Sequence, residues 1–512
     1  MKTLSINGII LTLVTFLPAA GALVLAVFPR KVIGERWFAL GVAVANFILS
    51  LHLLRYEVPT RFSTASIFQF EIDIPWITSP AIHYHLGLDG ISLWLVILTT
   101  FLVPLSILVS WHSVSHRVKE FYVLLLVLET AMIGVFLALD LFLFYVFWEA
   151  TLIPMALLIG IYGHERRIYA SIKFFLYTAI ASVFMLGAII WLYAHTGTFD
   201  YATIRAQLQG GHLAVSWNAA RWLFLGFFIA FAVKVPLWPL HTWLPDAHVE
   251  APTAGSVLLA GVLLKMGTYG LLRFNVGLFP EQAQYHAPWI MTLAIIGIVY
   301  GALVAMVQPN LKKLIAYSSV SHLGFVVLGI FSLTTLGIDG AVFQMLNHGV
   351  STGALFMLAG MLYERRHTYE IRNYGGLATP MPVYATFFLV ITLSSIGLPL
   401  LNGFVGEFLI LAGAFKAKAL WGALAATGVI WSACYMLWMY QRVFFGAVTD
   451  DHNAQLQDIG ARERLALWPT AIAALIMGVA PWWWLGMIES GVTKLLPAFK
   501  TLAQGIGQGL GK

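Results

Sequence analysis

The feature that most limits the fold of this chain is a series of apolar runs, each about 20 residues long, that recurs along the whole sequence. A helix of about 20 apolar residues is long enough to cross the hydrocarbon core of a bilayer. Charged residues make up only 10% of the chain, against about 25% in a typical soluble domain. The sequence therefore predicts an all-α polytopic integral membrane protein and excludes a soluble globular domain.

Reading these runs between charges, prolines and glycines predicts about 14 transmembrane helices. Their connections are short, so no separate catalytic domain is expected. The first run is about twice as long as the core of a signal peptide, and we interpret it as an uncleaved span. The predicted spans are residues 4–28, 33–54, 87–110, 120–139, 141–162, 169–193, 219–243, 252–274, 288–307, 312–333, 340–363, 383–411, 420–444 and 466–488.

Lysine and arginine are distributed unequally between the two sides of this arrangement. Connections after odd-numbered spans carry 16 of them, and the opposite side carries 11. Cytoplasmic connections are the ones enriched in lysine and arginine. The odd-numbered connections are therefore predicted to be cytoplasmic, which places both termini in the periplasm. The chain has a net charge of +6 but no basic run, so nothing indicates binding to nucleic acid.

Two further features concern regions outside the membrane and possible cofactors. Residues 68–74 alternate between apolar and polar side chains, as a half-solvated strand does. A small external hairpin is therefore expected near 55–85. Cys434 is the single cysteine, which excludes a disulfide framework and any metal or cluster site built from several thiolates. Electron carriers, if the chain works with any, must lie on partner proteins.

Ionisable residues within the predicted spans are the candidates for function, because a charge in the bilayer costs several kcal/mol unless it is paired or hydrated. A single such residue is compatible with a structural ion pair. A set that combines acids, lysines and histidines favours a proton relay, because these groups differ in proton affinity. The set consists of Glu129, Glu149, Lys234, Lys265, His322, His348 and Glu407.

Prolines interrupt two predicted spans beside these charges. Pro236 and Pro239 follow Lys234 directly, and Pro399 precedes Glu407 by eight residues. A proline within a span frees backbone carbonyls that can line a polar cavity. The sequence therefore predicts broken helices in spans 7 and 12.

Because the two broken helices lie five spans apart, we expect two inverted repeats of five helices each. Residues 1–118 would hold spans 1 to 3 and the hairpin. The first repeat, spans 4 to 8, would occupy 119–275, and the second, spans 9 to 13, would occupy 287–446. Residues 447–512 would form span 14 and a surface tail.

Two lysines appear too deep in the membrane to reach water. Glu149 is expected to form an ion pair with Lys234, because pairing lowers the free energy of burying both charges. Lys265 follows Pro252 by thirteen residues, which is about 20 Å along a helix. Its ammonium group is therefore expected to remain buried.

The longest motif runs from Lys234 to His248, with the sequence Lys-Val-Pro-Leu-Trp-Pro-Leu-His-Thr-Trp-Leu-Pro-Asp-Ala-His, and continues to Lys265. It resembles the signature of the antiporter-like proton-translocating subunits of respiratory complex I. That family also includes subunits of multisubunit cation/proton antiporters and of membrane-bound hydrogenases. Residues 404–408, which contain Glu407, resemble the M-type members in bacterial NADH-quinone oxidoreductases, whereas L and N types usually carry lysine there.

The resemblance implies a relay with a coupled pair, a central lysine, two connecting histidines and a terminal acid. In that order these are Glu149 with Lys234, Lys265, His322 with His348, and Glu407. Glu129 and His241 are secondary candidates. The family often has Gly and Thr between the proline of the second break and Asn402, where this chain has Leu400 and Leu401.

The resemblance also implies a function, a proton-translocating subunit in the membrane arm of an NADH-quinone oxidoreductase. NADH, FMN, iron-sulfur clusters and quinone are then expected on partner subunits, with no cofactor or metal in this chain. The expected partners are other membrane-arm subunits, including antiporter-like ones, and the lipid of a bacterial inner membrane. A subunit of a sodium/proton antiporter or of a membrane-bound hydrogenase is the alternative. A passive scaffold would instead tolerate neutralisation of the buried charges.

Overall fold

The computed structural model describes residues 6–27, 34–58, 68–211, 213–448 and 450–495. Within these residues, eleven helices are long and apolar enough to cross a membrane, or twelve when a bent pair is counted as one span. The expectation of a mostly helical, membrane-spanning chain is therefore confirmed. Most of the predicted tail, from residue 496 onward, lies outside the described residues.

The first half of the chain contains eleven of the helices that we label, and one two-stranded sheet. These are α1 (Ile6–Val27), α2 (Glu35–Ser50), β1 (Gln69–Ile77), β2 (Ile82–Leu88), α3 (Ser92–Val109), α4 (Val118–Leu137), α5 (Leu141–Ala150), α6 (Leu152–Tyr162), α7 (Arg167–Thr196), α8 (Tyr201–Gln209), α9 (Trp217–Lys234), α10 (Trp243–Glu250) and α11 (Thr253–Val276).

The longer elements in the second half of the chain are all helices. These are α12 (Pro280–Met306), α13 (Leu311–Phe331), α14 (Thr335–Arg366), α15 (Pro382–Ser395), α16 (Asn402–Ala417), α17 (Ala419–Phe444), α18 (Ala461–Val479) and α19 (Trp482–Leu495).

Interruptions occur where the prolines predicted them. α9 ends at Lys234, and α10 begins at Trp243, after a gap of eight residues. α15 ends at Ser395, and α16 begins at Asn402. Within the second gap, Leu400 adopts a left-handed backbone conformation with φ of 75°, which is strained for any residue with a Cβ atom. A glycine at this position would be free of that strain.

Two predicted spans differ in detail from the structure. The sequence predicted one span near 466–488, and the structure has two helices there, α18 and α19, which meet at an angle of 73°. Pro481 directly precedes the second helix and lacks the backbone N–H that would continue the first. Span 9 was predicted to begin at Pro288, whereas α12 begins at Pro280 and contains Pro288 within it.

A similar connection occurs twice in the bundle. Asp140 forms an isolated antiparallel bridge with Asp200, and Asn310 forms one with Glu370. Each first partner caps the following helix, since Asp140 accepts from the N–H of Phe142 and Asn310 from that of Lys313. Both partners recur 170 residues later, from 140 to 310 and from 200 to 370. The two halves of the chain therefore share a local structural motif.

The hairpin of β1 and β2 is fastened to the bundle by a histidine. His85 contacts Asp200 through Nδ1 and Glu71 through Nε2, both at 2.9 Å. Burial disfavours the charged imidazolium, but the hydrogen bonds to Asp200 and Glu71 outweigh burial and raise the pKa of His85 from 6.5 to about 9. The charged form of His85 therefore holds the hairpin against the N-terminus of α8.

This clasp makes the attachment of the hairpin dependent on pH. Because the folded pKa exceeds the ordinary value, the stabilisation is complete below about pH 6.5 and is lost as pH rises through about 9. Over this pH range, the free energy of hairpin opening should fall by up to about 3 kcal/mol. It can be measured by amide hydrogen exchange after correction for intrinsic rates. A His85→Gln variant should show no such dependence on pH. If the free energy of hairpin opening in the wild type did not change with pH, the role assigned to His85 would be wrong.

Candidate functional site

Lys265 lies in a distorted part of α11. Two π-helical segments, Leu259–Leu263 and Leu271–Val276, flank it. Such segments shift the backbone hydrogen bonds by one residue and often occur at functional sites. The Lys265 side chain is fully buried, and its Nζ donates to the carbonyl of Ala260 in the first segment.

Lys265 and His348 are in direct contact. Lys265 Nζ lies 2.7 Å from His348 Nδ1, so α11 and α14 are joined by a nitrogen-to-nitrogen hydrogen bond. Such a bond needs one proton between the two atoms. It forms either from an ammonium group and a neutral imidazole or from a neutral amine and an imidazole with Nδ1 protonated. The contact is therefore compatible with the proton residing on either partner.

His322 and Glu407 form the second direct contact. His322 Nδ1 lies 2.9 Å from Glu407 Oε1, which also accepts from Gln344 Nε2 at 3.1 Å. Both side chains of the pair are buried. His322 Nε2 faces the hydroxyl of Ser395 at 3.5 Å. The acid at the second helix break is therefore linked to α13 and α14.

The two contacts face each other across a small polar cavity. The ring centroids of His322 and His348 are 6.0 Å apart, and His348 Nε2 has no hydrogen-bond partner within the described residues. The cavity measures about 10 Å³, about what the centre of one water molecule needs. Its polar lining comprises His322, Gln344, Asn347, His348, Ser351, Thr352, Ser394 and Ser395.

Four of the residues predicted from the sequence therefore form one buried line, made of two direct contacts with the polar cavity between them. Its order is Lys265, His348, His322 and Glu407. The contacting residues come from four different helices. The members of each direct contact are 83 and 85 residues apart in the chain. We call these four residues the buried line below.

Lys234 and Glu149 do not form the direct ion pair that was expected. Lys234 is fully buried, and its Nζ has no hydrogen-bond partner among the described residues. The ammonium group instead lies over the rings of Trp148 and Phe174, at 5.4 and 5.5 Å from their centroids. Glu149 interacts with it only at a distance. The expectation was wrong because two aromatic faces, which attract a cation, occupy the space beside the lysine.

The secondary candidates lie apart from the buried line. Glu129 on α4 is fully buried, and its Oε1 accepts a 2.8 Å hydrogen bond from Asn46 Nδ2 on α2. Glu129 Oε2 and Asn46 Oδ1 are both unpartnered in the described structure, so a neutral carboxyl could satisfy both by donating to the amide oxygen. His241 lies in the first helix break, with its ring 5.2 Å from that of Tyr300.

Sequence reasoning missed two buried residues. His248 is fully buried and stacks on Phe356 with ring centroids 4.4 Å apart. Its position within the long motif was the available signal. Lys312 was counted among the exposed charges of a connection, but it is 1% exposed and donates to the Ala251 carbonyl at 2.5 Å. Among the described residues, no group of three or more His, Cys, Asp or Glu side chains is arranged to hold a metal ion.

Comparison with known proteins places this arrangement in a family. Residues 138–432 match the family described as NADH:quinone oxidoreductase/Mrp antiporter, transmembrane. The chain belongs to this antiporter-like family. Residues 40–138 match the amino-terminal region described as NADH-ubiquinone oxidoreductase chain 4.

Individual members of the antiporter-like family agree with this assignment. NADH-quinone oxidoreductase subunit M of Rhodobacter capsulatus is 49% identical over 485 residues, which cover 92% of this chain and 93% of the relative. The resemblance to M-type members is therefore confirmed. A chain of respiratory complex I from Thermus thermophilus with bound NADH superimposes with a TM-score of 0.85 at 35% identity, covering 95% of this chain and 99% of that chain.

The fold also occurs outside respiratory complex I. A chain of the Mrp complex from a Dietzia species superimposes with a TM-score of 0.82, covering 95% of this chain and 98% of that chain. The two sequences are only 19% identical, so this likeness concerns the fold alone. The same helical architecture therefore occurs in chains of two different complexes.

Proposed function

We propose that this chain is a proton-translocating subunit in the membrane arm of an NADH-quinone oxidoreductase in a bacterial inner membrane. The observation that carries the proposal is the buried line, in which contacts of 2.7 and 2.9 Å join a lysine to a histidine and a histidine to an acid. Redox chemistry takes place on partner subunits, which hold NADH, FMN, iron-sulfur clusters and quinone. Other antiporter-like subunits adjoin this chain in the membrane.

The atoms along the buried line are arranged for transfer in steps. The Lys265 ammonium gives a proton to His348 Nδ1, and His348 then releases one from Nε2 towards the polar cavity. His322 accepts on Nε2, which faces the same cavity, and releases from Nδ1 to Glu407 Oε1. Each imidazole accepts on one nitrogen as it releases from the other, which is the chemistry that suits histidine to a relay.

Glu149 and Lys234 control this transfer electrostatically. Moving the carboxylate towards Lys234 stabilises its ammonium form, and moving the carboxylate away favours release of the proton. In the structure Lys234 faces two aromatic rings, and the direct ion pair with Glu149 would be the second arrangement of the two residues. α9 and α11 pack closely at Gly267, where a Cβ atom would lie 2.9 Å from the Phe231 carbonyl oxygen. A change at Lys234 therefore acts on the helix that carries Lys265.

The full topology that we propose has fourteen spans, two inverted repeats and both termini in the periplasm. With the bent pair α18 and α19 counted as one span, the long helices supply twelve spans, and the interrupted helices α9 with α10 and α15 with α16 supply the other two. The motif that recurs after 170 residues supports the repeats. One copy lies in connections that follow even-numbered spans, and the other lies in connections that follow odd-numbered spans. The two copies are therefore on opposite sides of the membrane, as an inverted repeat requires.

A Glu149→Gln variant tests the function. In inverted membrane vesicles, the variant should lower NADH-driven proton uptake at least about tenfold, since loss of an electrostatic partner removes control of Lys234. NADH oxidation by an artificial acceptor that bypasses the membrane arm should stay unchanged. Uptake at the wild-type rate would contradict the proposal.

The shared fold with a chain of the Mrp complex favours one second candidate, a subunit of a sodium/proton antiporter. Under that candidate, the same vesicles would show sodium-dependent proton exchange without NADH, and Glu149→Gln would abolish it. Under the proposed function, NADH-driven uptake is independent of added sodium.

A further inference from the structure

We propose that Trp243 is a positioning residue for Lys234, because its indole completes the hydrogen bonding of the first helix break. Trp243 is the first residue of α10, and Lys234 is the last residue of α9. The indole Nε1 donates a 2.9 Å hydrogen bond across the break to the carbonyl of Val233, which directly precedes Lys234. This inference rests on the proposed proton-translocating function and deepens it by naming a residue that holds Lys234 in place.

The need for this bond follows from Pro236. Proline has no backbone N–H, so the carbonyl of Ala232 lacks the donor that a continuous helix would provide four residues later. That carbonyl accepts instead from the N–H of Leu237, at 2.8 Å. In a continuous helix, Leu237 would donate to Val233. The carbonyl of Val233 is therefore left without its helical donor, and the indole of Trp243 supplies another.

The indole bond lies in apolar surroundings. Trp243 is fully buried, and Val233 is 5% exposed. A hydrogen bond that does not compete with water is stronger, and a carbonyl that loses its partner there is correspondingly unfavourable. The bond therefore fixes the last turn of α9, and with it the backbone of Lys234.

Trp243 also supports one of the aromatic faces that Lys234 contacts. Its ring packs on that of Phe174, with centroids 5.4 Å apart. The ammonium group of Lys234 lies 5.5 Å from the centroid of the same Phe174 ring. Any aromatic side chain could pack on Phe174, whereas the bond to Val233 requires the N–H of the indole. The two contacts can therefore be separated by substitution.

The start of α10 is anchored, so the indole acts from a fixed point. Lys173 on α7 donates from Nζ to the carbonyl of Thr242 at 3.0 Å and to Asp246 Oδ2 at 2.7 Å. The hydroxyl of Tyr177, on the next turn of α7, lies 3.0 Å from Thr242 Oγ1. Three side chains therefore tie the residues on either side of Trp243 to α7.

A Trp243→Phe variant of the assembled complex tests the inference, because phenylalanine keeps an aromatic ring and removes the N–H. NADH-driven proton uptake by inverted membrane vesicles should fall at least about fivefold, since small displacements of a reacting group lower its rate. Replacing Trp243 by 3-benzothienylalanine, which has the shape of tryptophan with sulfur in place of N–H, should have the same effect. Acceptor-linked NADH oxidation and migration on native gels verify that each complex assembles.

The pH dependence of uptake distinguishes positioning from packing. Without the indole bond, the carbonyl of Val233 is unpaired beside Lys234, and a free carbonyl stabilises a nearby ammonium group. Release of the proton then requires a higher pH, so the acid limb of the uptake profile should shift upward by at least about 0.5 unit. The charges around Lys234 stay the same, since Glu149 is the one that interacts with it and Lys173 is paired with Asp246.

Trp289→Phe is the control. Trp289 Nε1 also donates a hydrogen bond, to His286 Nδ1 at 2.8 Å, but Trp289 lies on α12, outside both helix breaks. Its replacement should leave uptake and the pH profile unchanged.

The outcomes separate this inference from the function on which it rests. Uptake above half the wild-type rate in both Trp243 variants, together with strongly reduced uptake in Glu149→Gln, would overturn the role of Trp243 and leave the function intact. A fall in uptake with an unshifted pH profile would also overturn it, since it would indicate packing alone. If the phenylalanine variant does not assemble, the benzothienyl variant decides. Wild-type uptake in Glu149→Gln would overturn the function itself.

Discussion

Replacing Lys234 by alanine is expected to abolish NADH-driven proton uptake by inverted membrane vesicles. The ammonium group is fully buried and has no hydrogen-bond partner among the described residues, so its interactions are the charge of Glu149 and the rings of Trp148 and Phe174. Alanine removes the cation whose proton affinity responds to Glu149. Without it, movement of the carboxylate has no titratable group to act on at the first helix break.

The measurement compares proton uptake with acceptor-linked NADH oxidation in the same vesicles. Acceptor activity should remain at the wild-type level, because the proposed function places the redox centres on partner subunits. Lys416→Ala is the control, since it removes a lysine from an exposed position on α16 and should leave uptake unchanged. If Lys234→Ala retained more than about half of the wild-type uptake, the electrostatic step proposed for this residue would be wrong.

Of the substitutions proposed for this chain, Asp89→Asn is expected to lower the stability of the folded protein most. Asp89 and Arg273 form an ion pair at 2.5 Å, with 1% and 3% of their side chains exposed. Asparagine keeps an oxygen that can accept from the N–H of Ser92, as Asp89 does. It leaves the guanidinium buried without a counter-charge, however. Breaking a buried ion pair in this way costs about 3–5 kcal/mol, although the Tyr269 ring, 5.2 Å from the guanidinium, retains part of its stabilisation.

This effect is measured by the thermal inactivation of the purified complex and by the amount of assembled complex on native gels. Adding Arg273→Met to the asparagine variant should recover part of the loss, because no unpaired charge then remains. Asp450→Asn provides the comparison, since it breaks the more exposed pair of Asp450 with Arg366 and should change stability by at most about 1 kcal/mol. Equal effects of the two asparagine variants would contradict the argument from burial.

Much of the fold could be predicted from local features of the sequence. A run of apolar residues predicts a membrane-spanning helix regardless of its neighbours, because in lipid each helix satisfies its own backbone hydrogen bonds. Prolines are equally local in effect, and the gaps after Lys234 and before Asn402 lie where they predicted them. The bend before Trp482 was missed because Pro481 lies near the end of an apolar run, where a helix was expected to finish soon after.

The identity of the candidate residues also followed from the sequence, because a charge in an apolar run is conspicuous. The side chains that these residues contact in the folded protein did not follow from the sequence. Lys312 appeared to be an exposed charge in a connection, and its burial depends on how Ala251 and the Tyr369 ring pack over it. The expected partner of Lys234 was wrong, since the rings of Trp148 and Phe174 took the place of Glu149.

The sequence by itself determined that this chain is a helical membrane protein, where two of its helices break, and which ionisable groups lie inside it. The tertiary structure alone decided that Lys265 meets His348 and that His322 meets Glu407. The physical reason is the distance along the chain over which each feature is determined. Insertion of a helix depends on about 20 consecutive residues, whereas a contact between residues more than 80 positions apart depends on the depth and rotation of each helix against its neighbours.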